Sequence, residues 1–204
     1  MEKFFHKIPL RRPEDAQALI RRPERLWQPG LPAKELAESW LRANDFPKAV
    51  RALLDSCPAY RQAVLSEAYF ARRSQGGDGE TRGPFDLLAY GNSIVGPYVI
   101  AVEGRREESF GERAGDWART AARQRQLEGL CRLLRLEPEA AARLRLRLLR
   151  RCVGLLFEAA GVKSGQALLL VHSFSPRKSG IGDFKALTRA LGAPLDGPGE
   201  IGPA

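Results

Sequence analysis

Apolar and polar positions alternate along this chain in two periods, and the switches between them outline a fold. Helical spacing comes first. Leu36, Ala37, Trp40 and Leu41 fall at i, i+1, i+4 and i+5, one apolar face of a helix predicted from Ala33 to Asn44. Pro47 opens a second helix to about Cys57, with Val50, Leu53 and Leu54 inward and Pro58 ending it. Three strand segments follow. Tyr60 to Ala71 mixes apolar and polar residues, Phe85 to Tyr90 is the second, and Tyr98 to Val102 is the clearest, five apolar residues between Pro97 and the charges of Glu103 and Arg105. The Gly-rich polar stretch from Arg72 to Gly83 reads as a loop, and Gly91-Asn92-Ser93 as a turn or as part of a longer connection through Gly96-Pro97. Helical spacing returns from Gly115 to Leu136, then from Pro138 to Ala160, closed by Gly161 as a C-terminal cap. Gln166 to Phe174 is a buried strand around Ala-Leu-Leu-Leu-Val, and Asp183 is placed to cap a last helix, Phe184 to Leu191.

The order is helix, three strands, two helices, strand, helix. The two most apolar strands are joined by a long helical crossover, as a parallel pair requires, while the first three are close enough for an antiparallel meander. The expected fold is α/β (α+β): a mixed four-stranded sheet flanked by helices, in an α-β-β-β-α-β core. The proline-punctuated segment 1–32 is expected to be irregular apart from a short helix, Pro13 to Arg21, and a turn at Trp27 to Gly30. Residues 33–191 form the single domain, and the Pro/Gly-rich segment 192–204 is expected to be a disordered tail.

Composition narrows the partners. The 204 residues suit one domain, and a hydrophobic fraction of 44% suffices for a core. Lys and Arg number 33 against 24 Asp and Glu, a net charge of +9, which favours a polyanion such as DNA or RNA. Arg143, Arg147, Arg150 and Arg151 fall on one helical stripe that either tracks phosphates or forms the solvated face of an amphipathic helix. No apolar run approaches the roughly 20 residues that cross a bilayer, so no membrane association is expected. The N-terminus carries no secretory signal, and Cys57, Cys131 and Cys152 are too scattered for a zinc site or a disulfide framework; a cytoplasmic location is the expectation. Oligomeric state is left open.

The chemistry concentrates where the clearest strand ends. Glu103 and Arg105 are two residues apart and share a strand face, where the plain reading is a mutual ion pair. Asp86 begins the preceding strand, and in a neighbouring strand it would stand within a few ångströms of Glu103. Two carboxylates that close need a cation between them, and Mg²⁺ held by one or two carboxylates and water is the usual answer. The plain reading of Asp86 is an acidic residue starting a strand.

An Asp in one strand, then Glu-x-Lys in the next, in an α-β-β-β-α-β order, resembles the PD-(D/E)XK, or restriction-endonuclease-like, nuclease superfamily. The resemblance matches Pro84 and Asp86 to the PD element and Glu103-Gly104-Arg105 to the (D/E)XK element, over a topology spanning about residues 34–175. It implies a metal-dependent phosphodiesterase acting on nucleic acid. Asp86 and Glu103 would hold Mg²⁺ (or Mn²⁺), helped by the Gly104 carbonyl and by Glu67 as an extra acidic ligand, and Arg105 would contact the scissile phosphate. Gln124 and Gln126 lie on the helix where some members place a Gln toward the metal. Two departures stand out: Phe85 separates Pro84 from Asp86, and Arg105 replaces the family's Lys. Arg stays protonated and is a poor base, so the alternative is a catalytically inactive nuclease-fold protein serving as a nucleic-acid- or protein-binding module. The stretches Val102 to Gly111 and His172 to Pro176 are also similar to an uncharacterised bacterial family with a Val-Glu-Gly-Lys-x-x-Glu-Ser-Phe-Gly signature, which again sets a Lys where Arg105 stands. His172, Ser173 and Asp183 lack the Gly-x-Ser-x-Gly elbow of a serine hydrolase, and no Walker or Rossmann glycine loop is present.

Overall fold

The structure is a computed structural model that describes residues 2–6, 8–20, 22–73, 84–195 and 199. Its elements follow the predicted order with several shifts of boundary. Two short strands, β1 (Phe4–His6) and β2 (Ile8–Pro9), and two short helices, α1 (Pro13–Gln17) and α2 (Pro23–Leu26), occupy the segment expected to be irregular. Next come α3 (Pro32–Ala43), α4 (Lys48–Ser56) and a 3₁₀ turn at Pro58–Tyr60. The three expected strands are β3 (Val64–Phe70), β4 (Leu87–Ser93) and β5 (Gly96–Arg105). The turn between the last two falls at Ile94-Val95, beyond Gly91 to Ser93, so both strands are longer than their apolar runs.

The two long helices expected after β5 are each broken. The first divides into α5 (Ala114–Trp117) and α6 (Ala121–Leu134), because Thr120 caps α6, accepting the Arg123 N–H at 3.3 Å. The second divides into α7 (Pro138–Ala142) and α8 (Leu146–Gly161). Strand β6 (Gln166–Ser173) and helix α9 (Ile181–Ala190) close the described fold. Gly180, at φ +82°, caps α9 in place of Asp183, which sits in the first turn and pairs with Arg145 at 2.9 Å. Most of the polar loop, residues 74–83, and of the expected tail, residues 196–198 and 200–204, lie outside the described residues.

The sheet is mixed and has the order β2-β1-β3-β4-β5-β6. Four of these strands are the expected core; β1 and β2 add to it because Phe4 and Phe5 pair in parallel with Ala68 and Tyr69. The meander β3-β4-β5 is antiparallel, and β6 runs parallel to β5 across the crossover, Tyr98 opposite Gln166 through Arg105 opposite Ser173. Tyr98, Ile100 and Val102 face Leu36, Trp40 and Leu54 of α3 and α4 in one core. Val99 and Ala101 face Leu155 and Ala159 of α8 in another. The strict alternation along β5 therefore decides which layer each later residue meets. Gly91 lets this sheet close: a Cβ there would collide with the Val64 carbonyl and with the Tyr98 hydroxyl, which donates to that carbonyl at 2.9 Å.

Candidate functional site

The end of β5 sets the site. The ladder of β4 pairs Leu87 with Val102, so Asp86, just before β4, arrives beside Glu103 and Gly104. The N–H of Gly104 donates to Asp86 Oδ2 at 3.0 Å. Alternation sends Glu103 and Arg105 to the α8 face, and Gly104 to α3, beside Leu36 and the Pro32 carbonyl. Helix α8 presents Arg147 and Arg151, one turn apart, to the same point.

Glu103 is completely buried and is caged by arginines. Arg105 Nη2 donates to its Oε2 at 2.7 Å. Arg147 reaches the same oxygen, 2.9 Å from Nε and 2.7 Å from Nη2, and its Nη2 lies 3.4 Å from Asp86 Oδ1. Arg151 Nε donates to Oε1, and its Nη2 to the Pro84 carbonyl at 2.6 Å. Two rings hold the guanidinium planes: Phe110 lies 4.7 Å from Arg105 and Phe85 5.2 Å from Arg151. Three guanidiniums thus meet two carboxylates. Burial and the Glu103 charge push the Asp86 carboxyl up to about 6, against the pull of the arginines. Burial, and the neighbouring charge of Arg147, push the Arg105 guanidinium below its ordinary value.

Asp86, Glu103 and Arg105 therefore converge as the motif implies, but these residues do not fit a divalent cation. Both oxygens of Glu103 accept from guanidiniums, and Arg147 stands between Glu103 and Asp86 where the ion would bridge them. Glu67 is not brought in. It pairs with Tyr90, four residues along β4 from Asp86, and accepts the Tyr69 hydroxyl at 2.9 Å. Among the described residues no group of three His, Cys, Asp or Glu is placed to hold a metal ion.

The expected arginine stripe splits in the same way. Arg143 lies ahead of α8, Arg147 and Arg151 turn inward to Glu103, and Arg150 stacks on Trp117 at 4.7 Å. No single phosphate-tracking row survives among these four. Gln124 is exposed, and Gln126 has a buried Oε1 without a partner. His172 does not meet a nucleophile. Its Nδ1 lies 3.2 Å from the Trp40 indole N–H, a pure donor, and burial pulls its pKa down to about 4.

Sequence reasoning missed the roles of Arg147 and Arg151. Their signal is positional: Arg147, Arg151 and Glu158 fall at i, i+4 and i+11 of a helix whose neighbours Leu148, Val153, Leu155 and Ala159 are buried, so a polar row runs through an apolar arc. Glu158 is buried and accepts the Tyr90 hydroxyl at 2.7 Å.

A cleft of ≈ 380 Å³ opens on this cluster. Asp86, Gly104, Arg105 and Arg147 line its polar end, and Leu19, Trp27, Leu36, Phe70 and Phe85 line its apolar walls. Arg147 keeps 37% of its side-chain surface exposed and Asp86 33%.

No helix among the described residues is long and apolar enough to cross a membrane. No curated protein and no solved structure matches the chain. One family model covers residues 9–203, and by that match the chain belongs to the family described as Domain of unknown function (DUF6946).

Proposed function

We propose that this protein is a non-catalytic binding module on a nuclease-like core, with nucleic acid as the polyanion that its charge favours. The observation that carries the reading is the position of Arg147. A guanidinium already bridges Asp86 and Glu103, at 3.4 Å and 2.7 Å, so a fixed organic cation does there what Mg²⁺ or Mn²⁺ does in a metal-dependent nuclease. A guanidinium neutralises carboxylates but carries no water to activate, and Arg105 beside it is no base. The net charge of +9 supplies long-range attraction for a phosphate backbone.

The test is fluorescence anisotropy with labelled single-stranded DNA, duplex DNA and RNA over a salt series, with intact strands checked on a gel after incubation with Mg²⁺ or Mn²⁺. The expected result is binding whose log K falls linearly with log salt, and uncut strands. Metal-dependent cleavage that Asp86→Asn abolishes would replace this function with that of a nuclease. Absence of binding at low salt would remove nucleic acid as the partner.

A further inference from the structure

The cleft beside the arginine cage is lined by a buried cation with an unfilled donor. Arg105 is only 5% exposed, its guanidinium makes one hydrogen bond among the described residues, to Glu103, and its Nε is buried with no acceptor. A buried donor without a partner is costly, more so when charged, so a protein that keeps one gains when an acceptor arrives. Arg105 and Arg147 both line the ≈ 380 Å³ cleft, a volume within the roughly 300–1,000 Å³ of small-molecule sites. The other walls are apolar, contributed by α1, α3 and the segment around Trp27 on one side and by Phe70 and Phe85 on the other.

We infer that this cleft binds one organic monoanion with an apolar body, its charged oxygens on Arg105 and Arg147 and its body against Trp27, Leu36, Phe70 and Phe85. A single charge is what the unfilled donor of Arg105 and the part-exposed guanidinium of Arg147 can take up. Asp86 and Glu108, which also line the cleft, oppose a second. The oxygens must accept, because guanidinium can only donate. The apolar walls exclude a bare inorganic ion as the preferred ligand, since it would leave them wet. A carboxylate on an aromatic body offers this chemistry, and so does one nucleotide of a strand, with its phosphodiester charge and its base. Such an anion fits the cleft whether or not the rest of the surface holds nucleic acid.

The experiment uses the full chain and the aromatic sulfonate 8-anilino-1-naphthalenesulfonate as fluorescent probe. Its competitors are 4-phenylbutyrate, the neutral 4-phenylbutan-1-ol, and the dinucleotide thymidylyl-thymidine. The expected result is saturable binding of one probe, displaced at least tenfold more effectively by 4-phenylbutyrate or by thymidylyl-thymidine than by the alcohol. Displacement by the dinucleotide assigns the site to a strand; displacement by the carboxylate alone assigns it to a free acid. Arg147→Met should weaken binding at least tenfold with an unchanged circular dichroism spectrum, and Trp27→Ala should weaken anion and alcohol alike. Equal competition by the acid and the alcohol on the wild-type protein overturns the inference without any variant. Binding at full strength in both variants places the probe elsewhere and also overturns it.

Discussion

Arg147 holds Glu103 through two nitrogens on one oxygen, Nε at 2.9 Å and Nη2 at 2.7 Å from Oε2, and from there it reaches Asp86. The two carboxylates that the motif brings together are thus satisfied from within the chain. One of the guanidiniums that satisfy them, that of Arg105, keeps an unfilled Nε and lines a cleft.

Removing the carboxylate at the centre should be severe. Glu103→Ala leaves Arg105 and Arg151, both more than nine-tenths buried, without their shared counter-ion. Breaking a buried pair from one side costs about 3–5 kcal/mol. Urea unfolding should show a loss of that order. Glu38→Ala, which removes a surface partner of Lys34 and Arg42, should lose under about 1 kcal/mol. Adding Arg151→Met to Glu103→Ala should recover part of the loss, and a strictly additive double variant would contradict the cage.

Placing a lysine at position 105, as in the motif this site resembles, should not create cleavage. In Arg105→Lys, Arg147 and Arg151 still occupy both oxygens of Glu103. Plasmid DNA and single-stranded RNA incubated with this variant and Mg²⁺ or Mn²⁺ should remain uncut. Cleavage gained by the one substitution would mark a degenerate nuclease.

How far the site is legible in the sequence depends on which contacts are local. The apolar run of β5 and its period of two put Glu103 and Arg105 on one face, and a meander of neighbouring strands brings Asp86 beside them. The plain reading of a Glu103–Arg105 pair is also present, at 2.7 Å. The partner from 44 residues further on is not legible. A row of arginines on a helix reads the same whether it meets solvent or a buried carboxylate, until the break at Arg143–Arg145 fixes where α8 begins. The two N-terminal strands are hidden because three- and two-residue strands carry no periodicity of their own. They form because β3 offers an edge to Phe4 and Phe5.

Acid should separate two part-buried groups of opposite sign. His172 has a folded pKa near 4, below its ordinary 6.5, so the stability of the neutral ring is present above pH 6.5 and is lost as pH falls toward 4. Asp86 is raised from 3.8 to about 6, so its contribution is present below 3.8 and is lost as pH rises through 6. Urea midpoints at about pH 4.5, inside both windows, and at about pH 7.5, above both, resolve the two. Relative to wild type, Asp86→Asn should fare better at the higher pH than at the lower, and His172→Gln should fare better at the lower. Offsets that do not change with pH would contradict both assignments.

Gly91 tests the sheet itself. A methyl there collides with the Val64 backbone and the Tyr98 hydroxyl, neither of which can swing away without breaking their 2.9 Å bond. Gly91→Ala should cost about 1–3 kcal/mol in urea unfolding, the usual range for overpacking, while Gly129→Ala, into open space, should be neutral or stabilising.

The most direct measurement is a titration of the wild-type protein with Mn²⁺, followed by the electron paramagnetic resonance of the free ion, beside Asp86→Asn. With Arg147 seated between Asp86 and Glu103, the two titrations should coincide and show no saturable site up to millimolar ion. A saturable Mn²⁺ site in the wild type that Asp86→Asn removes would contradict the account, because a metal would then hold the place between the carboxylates that the Arg147 guanidinium fills.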